Sequence, residues 1–303
     1  MTDVLAVDLG GTWMRAARTG ADGAVSHRLE RPTPRTPDPR PLIELLREVL
    51  VAGPVGSAVV GLPGRVDYGA GVLDHAPNLP LPWVEALSEA SLAEELGVDV
   101  ALANDADLAA VGEAWFGAGH GYRDVVYLTV STGVGAGVVT GGLLVHGRRS
   151  LAEVGHTLVD WRGLASGRAT VEQLGSGTAL ARLAREVGLD ADGREVERRW
   201  RAGDATASAV WEAVTTVAAV AAVNLAQLFS PEVIVVGGGV GLVGDPVLDP
   251  MRAMLADWGP AGLSAPVQVV NAALGDNAAL AGAGAWQRAF TPQAASRAGS
   301  EER

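Results

Sequence analysis

Asp8-Leu9-Gly10-Gly11-Thr12 lies between two apolar runs, residues 4–7 and 13–17, each of which reads as a buried strand. A Gly-Gly pair joining two such runs reads as a hairpin turn. Glycine lets the backbone bend sharply there and approach a ligand closely. Asp8 and Thr12 bring a carboxylate and a hydroxyl to the same turn. Exposed N–H groups beside a carboxylate and a hydroxyl suit a magnesium–phosphate pair. Asp and Gly also favour ordinary turns, so this stretch alone leaves both readings open.

Outward from that turn, the chain reads as two similar halves. The first has strands at 4–7, 13–18 and 24–29, a Pro-rich loop at 31–41 and a helix at 42–52. A strand at 58–62, a turn-rich segment to Trp83, a helix at 91–96 and a strand at 98–102 follow. Asn104-Asp105 then caps a helix running to about residue 116. The second half begins again with strands at 125–130, 137–140 and 143–145. It continues with helices at 171–187 and 205–229, a strand at 233–236, a helix at 246–258, a strand at 267–270 and a last helix at 277–290. Three strands followed by alternating helices and strands occur twice, which predicts a duplicated α/β unit with a cleft between the copies. The polar tail from residue 291 reads as disordered.

Glycine clusters fall at matching points. Ser131-Thr-Gly-Val-Gly-Ala-Gly137 joins two strands of the second half as Gly10-Gly11 does in the first. A strand follows it, so it is not the strand–turn–helix fingerprint of a dinucleotide fold. Gly237-Gly238-Gly239 closes another strand and offers a flat backbone surface for an adenine or ribose.

Composition narrows the chemistry. The 303 residues are 48% hydrophobic, enough for a sizeable core, and carry a net charge of −12, which argues against nucleic-acid and anionic-membrane partners. There is no cysteine, which excludes disulfides, thiolate catalysis and cysteine-ligated metals. There is no lysine either, so the phosphate-gripping Lys of P-loop proteins and protein kinases is absent, and with it Schiff-base catalysis. A phosphate site here rests on backbone N–H groups, hydroxyls, Arg and a metal. Polar residues interrupt the apolar stretch at 210–229, which reads as a core helix, and the start lacks the pattern of a signal peptide, so a cytoplasmic protein is expected.

Over nearly its whole length the chain resembles the sugar kinases of the ROK family (repressor, open reading frame, kinase), within the actin-like ATPase superfamily. The resemblance rests on Asp8 to Thr12, on Gly61-Leu-Pro-Gly-Arg-Val-Asp67 with Pro77-Asn-Leu-Pro80 and Trp83, and on Asn104-Asp-Ala106. It continues through Gly133-Val-Gly-Ala-Gly-Val138, Gly147, Glu153-Val-Gly-His156, and Glu172 before Ser176-Gly177. It implies two actin-like (ribonuclease H-like) domains. The lobes would cover 1–105, completed by the C-terminal helix at about 277–290, and 106–276, with 291–303 as tail.

The implied reaction is ATP-dependent phosphorylation of a hexose at its 6-hydroxyl. Asp105 is then the base, and Asn78, Asn104, Asp105, Glu153, His156 and Glu172 bind the sugar. Gly10, Gly11 and Thr12 with Thr132 and Gly133 contact the phosphates, Gly238 and Gly239 border the adenosine, and Asp8 orients magnesium through water. An amino-sugar or N-acyl-hexosamine substrate, such as kanosamine or N-acetylmannosamine, is the alternative. A sugar-sensing repressor is a third reading, disfavoured by the acidic charge and by a phosphate turn beginning at residue 8. The family resemblance also implies a homodimer.

The chain departs from the family in one place. The family's zinc loop, closed by a His and three Cys, corresponds to 157–171, which has no cysteine. No zinc site is expected from His156 alone, and packing of Trp161 is the expected substitute for the metal.

Overall fold

The computed structural model describes residues 2–263 and 265–290. They form two compact units, one of residues 2–116, 139–151 and 276–290, the other of residues 117–138, 152–263 and 265–275. The expected tail at 291–303 lies outside the described residues.

In the first unit, β1 (Val4–Leu9) buries Leu5, Ala6, Val7 and Leu9. It pairs antiparallel with β2 (Trp13–Thr19), which pairs antiparallel with β3 (Val25–Pro32). On its other side β1 runs parallel to β4 (Ser57–Leu62), a strand buried at every position as expected of a parallel sheet covered on both faces. A short hairpin, β5 (Arg65–Asp67) and β6 (Val72–His75), precedes β7 (Val100–Asn104), which completes the order β3-β2-β1-β4-β7. The register sets Asp8 opposite Arg15 on one side and Gly61 on the other.

The second sheet contains β8 (Asp124–Val130), β9 (Val134–Thr140), β10 (Leu143–Leu144), β11 (Val233–Gly237) and β12 (Gln268–Asn271), in the order β10-β9-β8-β11-β12. Counting the main strands of each sheet in chain order, both read third-second-first-fourth-fifth, which is the duplication the sequence predicts. The chain crosses from one unit to the other within β9.

The grouping differs from a boundary at residue 105: the helix Asp105–Phe116 and residues 139–151 fall in the first unit. Glycines explain the helix. A Cβ on Gly112 would collide with the Ala278 carbonyl, and one on Gly282 with the Leu108 carbonyl, so Asp105–Phe116 and Ala278–Ala283 pack backbone to backbone.

Two long helices expected from the sequence are broken. The span 171–187 divides into Val171–Gly175 and Gly177–Glu186, with Ser176 Oγ accepting from Ala179 N–H to cap the second. The span 277–290 divides into Ala278–Ala283 and Trp286–Ala289, with Gly284 pressed against the Gly20 carbonyl. The helix Ala205–Phe229 is long and apolar enough to cross a bilayer, but it buries Val210, Trp211, Val214, Ala218, Ala222 and Leu225 inside the fold and is capped by Asp204, as a core helix is.

Candidate active site

In the first unit the 10–12 turn is built as a tight hairpin end. Gly10 N–H donates to the Trp13 carbonyl at 2.8 Å, and Thr33 secures the turn from β3's far end, its hydroxyl on the Gly10 carbonyl at 2.7 Å and its N–H on the Thr12 carbonyl at 2.9 Å. Gly11 and Thr12 stay exposed. A Cβ on Gly11 would lie 3.3 Å from Asn78 Cβ, so the structure brings the proposed phosphate turn and a proposed sugar residue side by side. Asp8 accepts from Arg15 Nη1 at 3.1 Å, and Arg15 also faces Glu30 and Asp276, each at 3.6 Å. Burial raises the Asp8 pKa above its ordinary value, and Arg15 only partly opposes it. A partly compensated buried carboxylate beside exposed N–H groups fits a cation-bound phosphate.

The Asn104-Asp105 pair sits where β7 ends and a helix begins. Asn104 is buried and caps that helix. Its Oδ1 accepts from the N–H groups of Ala106 and Asp107, both at 3.0 Å, and its Nδ2 donates to the Gly64 carbonyl at 2.8 Å. The Asn104 side chain therefore holds the turn itself. Asp105 Oδ1 accepts from Ala106 N–H at 2.8 Å. Gly64, which receives Asn104, has a φ of +105°, and a Cβ there would collide with the His75 carbonyl, so only glycine suits it. Two residues that sequence reasoning missed converge on this turn: the Tyr68 hydroxyl donates to Asp107 Oδ2 at 2.7 Å and accepts Asn104 N–H at 3.2 Å.

In the second unit the turn is shorter than the glycine run implies. β9 starts at Val134, so only 131–133 are turn. Gly177 N–H donates to the Ser131 carbonyl at 2.7 Å and the Thr178 hydroxyl to the Thr132 carbonyl at 2.7 Å. Glu172 Oε2 accepts from Val134 N–H at 3.0 Å, and a Cβ on Gly133 would collide with that oxygen. Glu172 and Gly133, expected to serve sugar and phosphate respectively, are thus in direct contact. Glu153 precedes and His156 ends a 3₁₀ turn, Val154–His156, with His156 Nε2 3.9 Å from Glu153 Oε2. The His156 side chain is 60% exposed, which excludes a core role. Just before Glu153, Ala152 holds a φ of +59°, unusual for a residue with a Cβ. Gly238, at φ +81°, could not carry a Cβ against Val130 O and Thr129 Oγ1, whereas Gly239 faces open space.

Packing of Trp161 does not replace the zinc: its residue is 70% exposed, with the Arg162 guanidinium 5.0 Å over its ring. Hydrogen bonds close the loop instead. Leu158 bridges Thr170, Val159 and Asp160 N–H groups donate to the Ala169 carbonyl, and Val171 N–H donates to the Thr157 carbonyl. Asp160 caps the 3₁₀ helix Trp161–Ser166, and Thr170 with Gln173 forms a capping box. Among the described residues no group of three or more His, Asp or Glu side chains is placed to hold a metal ion.

The profile of the ROK family matches residues 4–289. Glucokinase of Thermotoga maritima is 30% identical over 92% of this chain and 95% of its own length. N-acetylmannosamine kinase of Escherichia fergusonii is 34% identical over 78% of this chain and 83% of its own. The crystal structure of a ROK family glucokinase from Streptomyces griseus, in complex with glucose and AMPPNP, superposes with a TM-score of 0.79 at 31% identity, covering 93% of this chain and 98% of that one.

Proposed function

The chain belongs to the ROK family, and on that premise we propose that it transfers the γ-phosphoryl group of ATP to the 6-hydroxyl of a hexose, with glucose as the leading substrate. The observation that carries this reading is the Asn104-Asp105 pair, a carboxylate fixed at the first turn of a twelve-residue helix by a capping amide. The helix dipole favours an ionised carboxylate there. Asp105 takes the hydroxyl proton as the sugar oxygen bonds to phosphorus and the bridge to ADP breaks. Such assistance is worth about 10²–10⁴-fold.

The proposed ligands of the ring hydroxyls are Asn78, Asn104, Glu153, His156 and Glu172. The Gly10-Gly11-Thr12 turn, with the exposed Gly11 and Thr12, and the 131–133 turn are the proposed phosphate ligands. Gly238 and Gly239 take the adenosine. Asp8 would hold magnesium, whose contribution when bound is to neutralise phosphate charge. The similarity to a glucokinase that binds glucose and AMPPNP supports hexose and ATP. Cytoplasmic location and a homodimer belong to the same proposal, the homodimer supported by the family resemblance.

A second reading, an N-acyl-hexosamine as acceptor, is supported by the similarity to N-acetylmannosamine kinase. ADP release measured with glucose, mannose, glucosamine and N-acetylmannosamine separates the two. The highest kcat/KM with glucose supports the first reading, and the highest with N-acetylmannosamine replaces it with the second.

A further inference from the structure

We propose that Tyr68 is a positioning residue that aims Asp105, holding the catalytic turn through one hydroxyl shared between Asn104 N–H and the Asp107 carboxylate. The inference rests on the hexose-kinase reading above. Tyr68 follows β5 and lies 36 residues from Asn104 and 39 from Asp107. Its O–H donates to Asp107 Oδ2 at 2.7 Å, and its oxygen accepts Asn104 N–H at 3.2 Å. One atom therefore grips the residue just before Asp105 and the residue two beyond it. Asp107 is fully buried, so its carboxylate depends on donors supplied by the fold.

The hydroxyl is itself fixed from behind. Tyr68 N–H donates to the Arg148 carbonyl at 2.8 Å. Its ring meets His146 and Phe290 edge-on, at centroid distances of 5.5 and 5.0 Å, and tilts against Trp286 at 6.2 Å. Burial, and then the neighbouring Asp107 charge, push the phenol well above its ordinary pKa, so it stays a donor throughout the working range of a kinase. A hydroxyl has one proton. With that proton on Asp107, the oxygen lone pairs face Asn104 N–H, which fixes the direction of both bonds.

Without this hydroxyl, Asn104 N–H and Asp107 Oδ2 each lose a partner and the turn relaxes, while the Asn104 side chain keeps its own bonds to Gly64, Ala106 and Asp107 and the other proposed sugar and nucleotide groups are untouched. Misplacing a reacting group by about 1 Å can lower a rate roughly 10²-fold. Tyr68→Phe, which keeps the ring, should lower kcat by roughly 10–100-fold and leave KM for hexose and ATP within about threefold of wild type. Amide hydrogen exchange at Asn104 and Ala106 should quicken while the helix Ala205–Phe229 keeps its protection.

Steady-state kinetics and hydrogen exchange on the full chain decide the matter. An active wild type whose Tyr68→Phe variant keeps kcat within about threefold, or loses KM and kcat together, overturns this inference alone. A wild type with no hexose-dependent ADP release overturns the functional reading and this inference with it. If Tyr68→Phe fails to fold, Asp107→Asn carries the test, because an amide oxygen still accepts the Tyr68 hydroxyl. It should lower kcat by less than about tenfold, and a loss near 10³-fold would assign the turn to the Asp107 charge and overturn the proposal.

Discussion

Replacing Glu172 by Ala should weaken nucleotide binding even when no sugar is present, whereas Gln should leave it near wild type. Glu172 Oε2 receives Val134 N–H at 3.0 Å and lies flat on Gly133, so the carboxylate supports the 131–133 turn from beneath. A hydrogen bond to a charged group contributes about 1.5–3 kcal/mol. The turn keeps the Gly177 and Thr178 bonds, which places the loss at the low end. About 1.5 kcal/mol corresponds to roughly a tenfold rise in Kd. The oxygen of Gln can accept the same N–H in a neutral bond worth about 0.5–1.5 kcal/mol, so its Kd should move by less than about fivefold. Hexose kcat/KM should fall in both variants, since both lack the carboxylate. Calorimetric titration of AMPPNP with magnesium, without hexose, reads the effect. Equal affinity for wild type and Glu172→Ala, within a factor of about two, would refute a link between this carboxylate and the phosphate turn.

Asp105→Asn should lower kcat roughly 10²–10⁴-fold while equilibrium sugar binding stays near wild type, and a variant keeping more than about a tenth of kcat excludes Asp105 as the base. Asp8→Asn should abolish turnover yet stabilise the metal-free protein at neutral pH. Burial raises the folded pKa of Asp8, so its stabilising protonated form is fully present below the unfolded pKa, near 3.8, and is lost as pH rises through the folded value. Urea melts should show the gain near pH 7 and its disappearance below about pH 4, and a less stable variant at pH 7 would contradict the assignment. Elemental analysis should find no stoichiometric zinc, because the 157–171 loop is closed by hydrogen bonds, and chelators should not inactivate the enzyme once magnesium is restored. One zinc per chain would overturn that.

Local signals carried the fold. The Gly10-Gly11 turn between apolar runs and the renewed strand pattern near residue 125 are short-range features, and each lies where the sheets require it. The start of β9 was hidden because Gly135 and Gly137 weaken the strand signal, although Val134, Ala136, Val138 and Val139 are buried. The break at Ser176 was hidden because its cause is tertiary: Gly177 N–H is bound to Ser131, which lies far back in sequence. Motifs marked Asp105 and Glu172, but not what orients them. Tyr68 reaches Asp107 across 39 residues, and no periodicity encodes such a pairing. The closure of the 157–171 loop eluded composition for the same reason, since backbone bonds between Val159 and Ala169 leave no residue signature, while Trp161, conspicuous in sequence, lies in solvent.

The central claim is a phosphoryl transfer from ATP to a hexose 6-hydroxyl with Asp105 as base. Phosphorus NMR of the products formed from ATP, magnesium and glucose tests it most directly. A sugar 6-phosphate accumulating in step with ADP, and absent with Asp105→Asn, is the predicted result. ADP formed at the same rate with and without every hexose supplied, or phosphate found at another ring position, would contradict it.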